Sequence, residues 1–194
     1  MRYLFLFLLF STTSVFALRI DPSTSSFEQR EKKYIDTFDF SGSYEKLENI
    51  DIDARRKKRV ELLLTGEYPA LESINYEGSF GSLSGKLLGS FPELSKVVFA
   101  CSSATMDLDL SGEWKQDCEI NIASPKGEIV LTLPKNVGII VHAKRQPLGT
   151  ILVEGLQKKG MGWMNKTYIN SEYGENPITL TLNLVVTEGK IVLR

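Results

Sequence analysis

Hydrophobic and polar residues follow one shared pattern in four stretches of this chain. Each stretch begins with a glycine, has an aromatic residue two positions later, and continues with apolar residues at alternating positions. The four glycines are Gly42, Gly66, Gly89 and Gly112, which lie 24, 23 and 23 residues apart. A repeat of this length is typical of arrays in which each unit buries its apolar face against its neighbours.

Each repeat predicts two short β-strands joined by corners rich in Gly, Ser and Pro. In the first repeat the alternating apolar residues are Ile50 and Ile52, then Val60, Leu62 and Leu64. Period-two alternation is typical of a strand that buries one face. Pairing of equivalent strands at ~4.8 Å gives an all-β parallel solenoid. A leucine-rich repeat is the alternative, but its strand-following asparagine and any helical period of about 3.6 residues are absent.

The N-terminus predicts a cleavable signal peptide over residues 1–17. Arg2 supplies a positive charge, residues 3–10 form an unbroken apolar run, and Val15-Phe16-Ala17 fits a small-residue cleavage site. The run is too short to cross a bilayer core of ~30 Å, and no later segment reaches the ~18 apolar residues of a membrane helix. We expect an exported bacterial protein, periplasmic or extracellular, with no transmembrane segment.

Residues 18–38 are polar and are predicted to be either a linker or a cap on the first repeat. Ser26 would cap a short helix that runs to Ile35, with an apolar face containing Phe27, Tyr34 and Phe38. Such a cap would cover the strand edges at the start of the array. Residues 39–194 are predicted to form a single β-solenoid domain.

The net charge bears on the class of partner, and the spacing of the cysteines bears on whether they form a disulfide. A net charge of −1 does not favour nucleic acid as a partner. Two cysteines in an exported protein normally suggest a disulfide, but Cys118 aligns with Ser95 whereas Cys101 lies six residues beyond Ser95. That offset is ~20 Å along a strand, against a Cα limit of ~7 Å. We expect free thiols, unless the corner folds back locally.

The run Arg55, Arg56, Lys57, Lys58 and Arg59 is a candidate binding site. It lies at the corner of the first repeat, which is one residue longer than the others. Adjacent cations suit anionic lipid headgroups or a cell-surface polymer. The alternative is a solvated corner whose cations neighbour nearby aspartates.

Asp107 and Asp109 are a second candidate, because period two puts both carboxylates on the outer face of one strand, ~6.6–7 Å apart. Glycoside chemistry uses such separations, and calcium is drawn to paired carboxylates. The alternative is structural: the register places Lys86 beside Asp109, where an exposed ion pair contributes at most ~1 kcal/mol.

Trp163 is the third candidate, in the glycine-rich loop 158–165. It would either stack on a sugar ring or cover the end of the core.

His142 is the only histidine and is expected to be a half-exposed residue at a strand end, since one histidine does not complete a zinc site. Asn165 begins a glycosylation sequon, which matters only in a eukaryote. No catalytic residue, metal site or cofactor is predicted.

Residues 108–141 resemble the core of the bacterial toast-rack domain, which also forms the C-terminus of LiaF-like cell-envelope stress regulators. The resemblance rests on G-E-I-V-L-T-L, on the corner Leu133-Pro134-Lys135 and on Val137-Gly138-Ile139. Residues 185–193 resemble the closing coil of such domains. The family implies a single-stranded right-handed parallel β-helix, here of about seven short coils, and implies no catalytic residues.

Two functions from different classes are compatible with these patterns. The first, which we favour, is an exported non-enzymatic β-solenoid that binds an envelope protein or surface polymer, or forms homo-oligomers through its end or wall. The second is a polysaccharide-active enzyme that would use Asp107, Asp109 and Lys86. That alternative rests on analogy with other β-helices.

Overall fold

The computed structural model describes residues 17–20, 35–145, 149–160 and 165–194. These residues are all-β and contain no helix. The helix predicted from Ser26 lies outside them, apart from its last residue, Ile35. The strands are β1 (Ala17–Ile20), β2 (Asp36–Asp39), β3 (Asn49–Ala54), β4 (Arg59–Leu64), β5 (Ser73–Leu87), β6 (Ser90–Phe91), β7 (Lys96–Asp109), β8 (Glu113–Trp114), β9 (Cys118–Ala123), β10 (Lys126–Thr132), β11 (Gly138–Arg145), β12 (Thr150–Val153), β13 (Gln157–Lys159), β14 (Asn165–Ile169), β15 (Thr179–Val186) and β16 (Glu188–Leu193).

Parallel pairing between successive repeats builds the first of two stacks in a large, mostly parallel sheet. Strands β3, β5, β7 and β9 are neighbours, and their repeat-equivalent residues pair. One row of these register partners is fully buried: Ile50, Ile74, Val97 and Ile120. The strand positions and the register predicted from the repeat are therefore confirmed.

The second stack contains the other strand of each repeat. Here β4, β5, β7 and β10 are neighbours, and Val60, Leu83, Met106 and Ile129 form one row of register partners. All four are buried. Strands β5 and β7 are long enough to belong to both stacks. The two stacks are therefore parts of one sheet, and their buried residues form one apolar core.

The glycine–aromatic segments form a column of their own beside the two stacks. Tyr44, Tyr68 and Phe91 are stacked, with ring centroids 5.7 and 5.3 Å apart. Trp114 follows Phe91 in a tilted orientation, at 5.4 Å between centroids. The Tyr68 hydroxyl donates a hydrogen bond to the Phe40 carbonyl, and burial raises the pKa of Tyr68 to about 12. These rings fill the corner of the core.

The second, third and fourth repeats need their glycines, Gly66, Gly89 and Gly112, because the corners approach one another closely. A Cβ on Gly66 would lie 1.6 Å from the carbonyl oxygen of Gly42. That same oxygen accepts a hydrogen bond from the Glu67 N–H at 2.8 Å. The contact is therefore between backbones, and only a residue without a side chain fits there.

The C-terminal strands lie between earlier strands. β15 pairs with β9 on one side and β11 on the other, and β16 pairs with β10 and β12. The resemblance predicted that residues 185–193 close the fold as its last coil. Instead, they are internal, and the Arg194 carbonyl accepts a hydrogen bond from the Leu133 N–H at 2.9 Å. The C-terminal strand is thus no free edge for end-to-end pairing.

Candidate functional site

The basic corner, residues Arg55–Arg59, contains the turn between β3 and β4 and ends at Arg59, the first residue of β4. Register partners show its origin: Ala54 pairs with Gly78 and Arg59 with Ser82, so four residues span the corner here and three in the next repeat. The Lys57 N–H donates to the Ala54 carbonyl at 2.9 Å. The extra residue closes a tight turn whose tip carries Arg55 and Arg56.

Two of the five cations in this corner have acidic partners. Lys57 Nζ is 2.9 Å from an Asp36 carboxylate oxygen, and the Lys57 side chain is 19% exposed. Arg55 pairs with Asp53 and lies 3.9 Å from Glu77. Within the described chain, the exposed residues Arg56, Lys58 and Arg59 form no ion pair. The predicted run therefore divides into an anchored part and a solvent-facing part.

The charged wall is the outer face of the second stack, including Asp107, Asp109, Glu128, Lys190 and Arg194. Lys86 and Asp109 are register partners, as predicted. However, the predicted ion pair between them is not formed in the described residues, because the Asp109 carboxylate accepts the Ser111 N–H at 3.0 Å. Asp109 thus caps the turn that follows its strand.

Asp107 instead pairs with the C-terminal residue. Arg194 Nη2 lies 3.5 Å from the Asp107 carboxylate. Further along the wall, Lys190 Nζ is 3.2 Å from Glu128 and Lys126 Nζ is 3.8 Å from Glu188. Sequence reasoning missed these three partners because they come from the inserted strand β16 or from the residue after it.

A polar row on the outer face of the first stack was also missed. Asn183 Nδ2 donates to Asn121 Oδ1 and to Glu119 Oε1, at 3.0 Å each. His142 is the register partner of Asn183, and its Nδ1 lies 3.3 Å from Thr167 Oγ1. His142 is exposed and lies within strand β11 rather than at a strand end.

Asp117 is the residue from which the position of β15, between β9 and β11, could have been predicted. Its repeat equivalents are Leu47, Leu71 and Leu94, so the aspartate breaks an apolar column. Asp117 Oδ1 accepts the Thr179 N–H at 2.7 Å, and Thr179 is the first residue of β15. The break in the repeat therefore marks where the inserted strand docks.

Both thiols are free and buried. Burial raises the pKa of Cys101 to about 11 and that of Cys118 to about 12, the latter with a further contribution from the charge of Glu119. A raised thiol pKa disfavours the nucleophilic thiolate. These cysteines are structural residues of the core.

Trp163 lies outside the described residues. In the part of the chain that the structure describes, no group of three or more His, Cys, Asp or Glu side chains is arranged to hold a metal ion. Across the same residues, no helix has the length and apolar character required to cross a membrane.

Comparison with known proteins does not assign the chain to a family. No protein-family profile matches the sequence, and no curated protein matches it. One similar solved structure is a candidate cell adhesion protein from Clostridium sporogenes, with 24% sequence identity and a TM-score of 0.49. The likeness covers 62% of this chain and 55% of that chain, so the match spans about half of that protein's length. The toast-rack resemblance stays a prediction.

Proposed function

We propose that this chain is an exported, non-enzymatic β-solenoid that serves as a scaffold or binding module of the cell envelope. The parallel pairing of repeat-equivalent strands supports a solenoid, in which the repeats stack as coils of one right-handed parallel β-helix. The solenoid domain would cover residues 39–194, after a signal peptide over residues 1–17 and the segment 18–38. The basic corner, the charged wall and Trp163 are its proposed contact residues.

The charged wall is the observation that carries this proposal. Three of its carboxylates, Asp107, Glu128 and Glu188, each face a cation from a neighbouring strand or from Arg194, at 3.5, 3.2 and 3.8 Å. General acid–base chemistry requires ionisable groups that converge on a bound substrate. These groups are instead spread side by side along an exposed face of a sheet. Such a face is suited to presenting a fixed pattern of charge to a partner.

A cleavage assay with cross-linking tests this proposal against a polysaccharide-active enzyme. The chain, purified from cells that express residues 1–194, is incubated with envelope polysaccharides, and the release of new polysaccharide ends is measured. In parallel, a photoreactive residue is placed at Asp107 in living cells. We expect no polysaccharide cleavage, and a discrete adduct from position 107 in the extracytoplasmic fraction.

Matched variants separate the two functions. Asp107→Asn/Asp109→Asn removes the two candidate catalytic carboxylates from the wall, whereas Asp51→Asn removes one carboxylate from the outer face of the first stack. Cleavage that is lost in the double variant and retained in the Asp51 variant would overturn the proposal in favour of the enzyme. A photoreactive residue at the exposed corner residue Lys135 controls for non-specific adducts. Equal labelling from positions 107 and 135 would contradict the charged wall as a binding surface.

A further inference from the structure

An exposed aromatic residue lies beside the basic corner. Phe80 is 71% exposed and belongs to the corner of the second repeat, next to that of the first. The two corners are joined by the Ser82 N–H, which donates to the Lys58 carbonyl at 2.9 Å. Covering a large exposed apolar side chain with a partner removes its surface from water and lowers the free energy.

A second exposed apolar residue flanks the corner on its other side. Ile35 is 55% exposed and directly precedes Asp36, the register partner of Val60. It is therefore level with Arg59 along the edge of the sheet. The basic corner thus lies between Ile35, which directly precedes β2, and Phe80 on β5.

The charge of this region is positive even after its ion pairs are counted. Of the five cations in the corner, Arg55 lies beside the carboxylates of Asp53 and Glu77, and Lys57 beside that of Asp36. Arg56, Lys58 and Arg59 remain exposed to solvent without an ion pair in the described residues. The local excess of positive charge contrasts with the net charge of −1 for the whole chain, so it is a property of this surface.

We propose that the basic corner, with Phe80 and Ile35, docks on an anionic phospholipid bilayer. The cations would lie against the headgroup phosphates while the two apolar side chains enter the interface. Charge alone would suit a soluble polyanion equally well. The flanking apolar residues favour the bilayer, because a soluble polyanion offers them no apolar phase. This inference rests on the proposed function in one respect, since export brings the chain to the envelope membrane.

Vesicle flotation tests the lipid contact. The purified chain is mixed with phosphatidylcholine vesicles, or with vesicles in which part of this lipid is replaced by phosphatidylglycerol. We expect binding only to the anionic vesicles, and weaker binding at high salt. Arg56→Ala/Lys58→Ala/Arg59→Ala should weaken vesicle binding roughly a hundredfold, because each cation near the membrane surface contributes ~1 kcal/mol. Phe80→Ser should weaken it about tenfold.

Matched variants control for total charge and total hydrophobicity. Lys96→Ala/Lys135→Ala/Lys144→Ala removes three exposed cations elsewhere, and Leu152→Ser removes a side chain that is 49% exposed on β12. Both should bind like the wild type. A Phe80→Cys variant labelled with an environment-sensitive dye should shift its emission to the blue on anionic vesicles only. The native thiols are buried, so labelling is selective.

Several results would overturn the lipid contact. They are an absence of vesicle binding, equal losses in the corner and control variants, or loss with the triple variant but none with Phe80→Ser. The last outcome, together with salt-sensitive binding to dextran sulfate, would assign the corner to a soluble polyanion. The cleavage and cross-linking experiments do not involve the corner, so failure here with their expected results would reject the lipid contact alone.

Discussion

At the scale of single residues, the repeat register explains the state of the two cysteines. Residues 96–100 of β7 pair with residues 119–123 of β9. Cys118 lies just before this paired segment on β9, whereas Cys101 lies just after it on β7. Both side chains enter the core, and no pairing of strands brings one opposite the other. The sequence therefore contained enough information to predict free thiols, because a register between adjacent repeats converts directly into distance along a strand.

The thiols predict a loss of stability at alkaline pH. In the unfolded chain a thiol ionises at its ordinary pKa of 9.0, whereas burial raises the values to about 11 for Cys101 and about 12 for Cys118. Above pH 9 the unfolded state binds fewer protons, so the free energy of unfolding falls as pH rises. Between about pH 8 and pH 10 the two thiols should lower it by about 2–3 kcal/mol.

Urea denaturation at a series of pH values measures this effect. Cys101→Ala/Cys118→Ala loses side-chain packing at every pH, so its absolute stability is lower, but its dependence on pH should be shallower than that of the wild type. Parallel pH profiles for the two proteins would contradict the role assigned to the thiols.

At the scale of elements, the glycine–aromatic corners decide how closely successive repeats stack. The aromatic column requires corner backbones that almost touch, and the glycine column allows that contact. The repeated glycines and aromatics were visible in the sequence because both recur at the same spacing. Their reason was not visible, since a contact between the backbones of two corners leaves no pattern of its own.

The corner glycines predict that Gly66→Ala is strongly destabilising. Its new Cβ would meet the Gly42 carbonyl oxygen at 1.6 Å, and that oxygen is held by the Glu67 N–H. We expect the free energy of unfolding to fall by about 1–3 kcal/mol or more, since this is the usual cost of overpacking a site. The fall is measured as a lower urea midpoint. Ser43→Ala, at an exposed position of the same corner, is the control and should remain within about 0.5 kcal/mol of wild type. Equal midpoints for wild type and Gly66→Ala would contradict the close contact.

At the scale of the whole molecule, the order of strands in space differs from their order in the chain. β15 and β16 fill a gap between β9–β10 and β11–β12. This insertion creates the charged wall, since Glu188, Lys190 and Arg194 reach it from the C-terminus. It also creates the polar row between Asn121, Asn183 and His142. Both surfaces are therefore products of the topology.

Disulfide cross-linking tests the insertion. Val192 is the register partner of Val130 on one side and of Leu152 on the other. Neighbouring strands lie ~4.8 Å apart, within disulfide reach, whereas β10 and β12 are separated by β16 and exceed the ~7 Å limit. Val130→Cys/Val192→Cys should therefore oxidise to an intramolecular disulfide, and Val130→Cys/Leu152→Cys should not. The reverse result would show that the strands follow chain order.

Local patterns were enough to predict the all-β class, the strand positions of the four repeats, their register, the basic corner and the placement of Lys86 beside Asp109. The physical reason is that alternation and spacing act between neighbours, whose contacts recur every 23 or 24 residues. The partners of Asp107, the polar row and the internal position of the C-terminus depend on strands that are far apart in the chain. Pairing over such separations has no periodic signal, so these features emerged only when the core was packed in three dimensions.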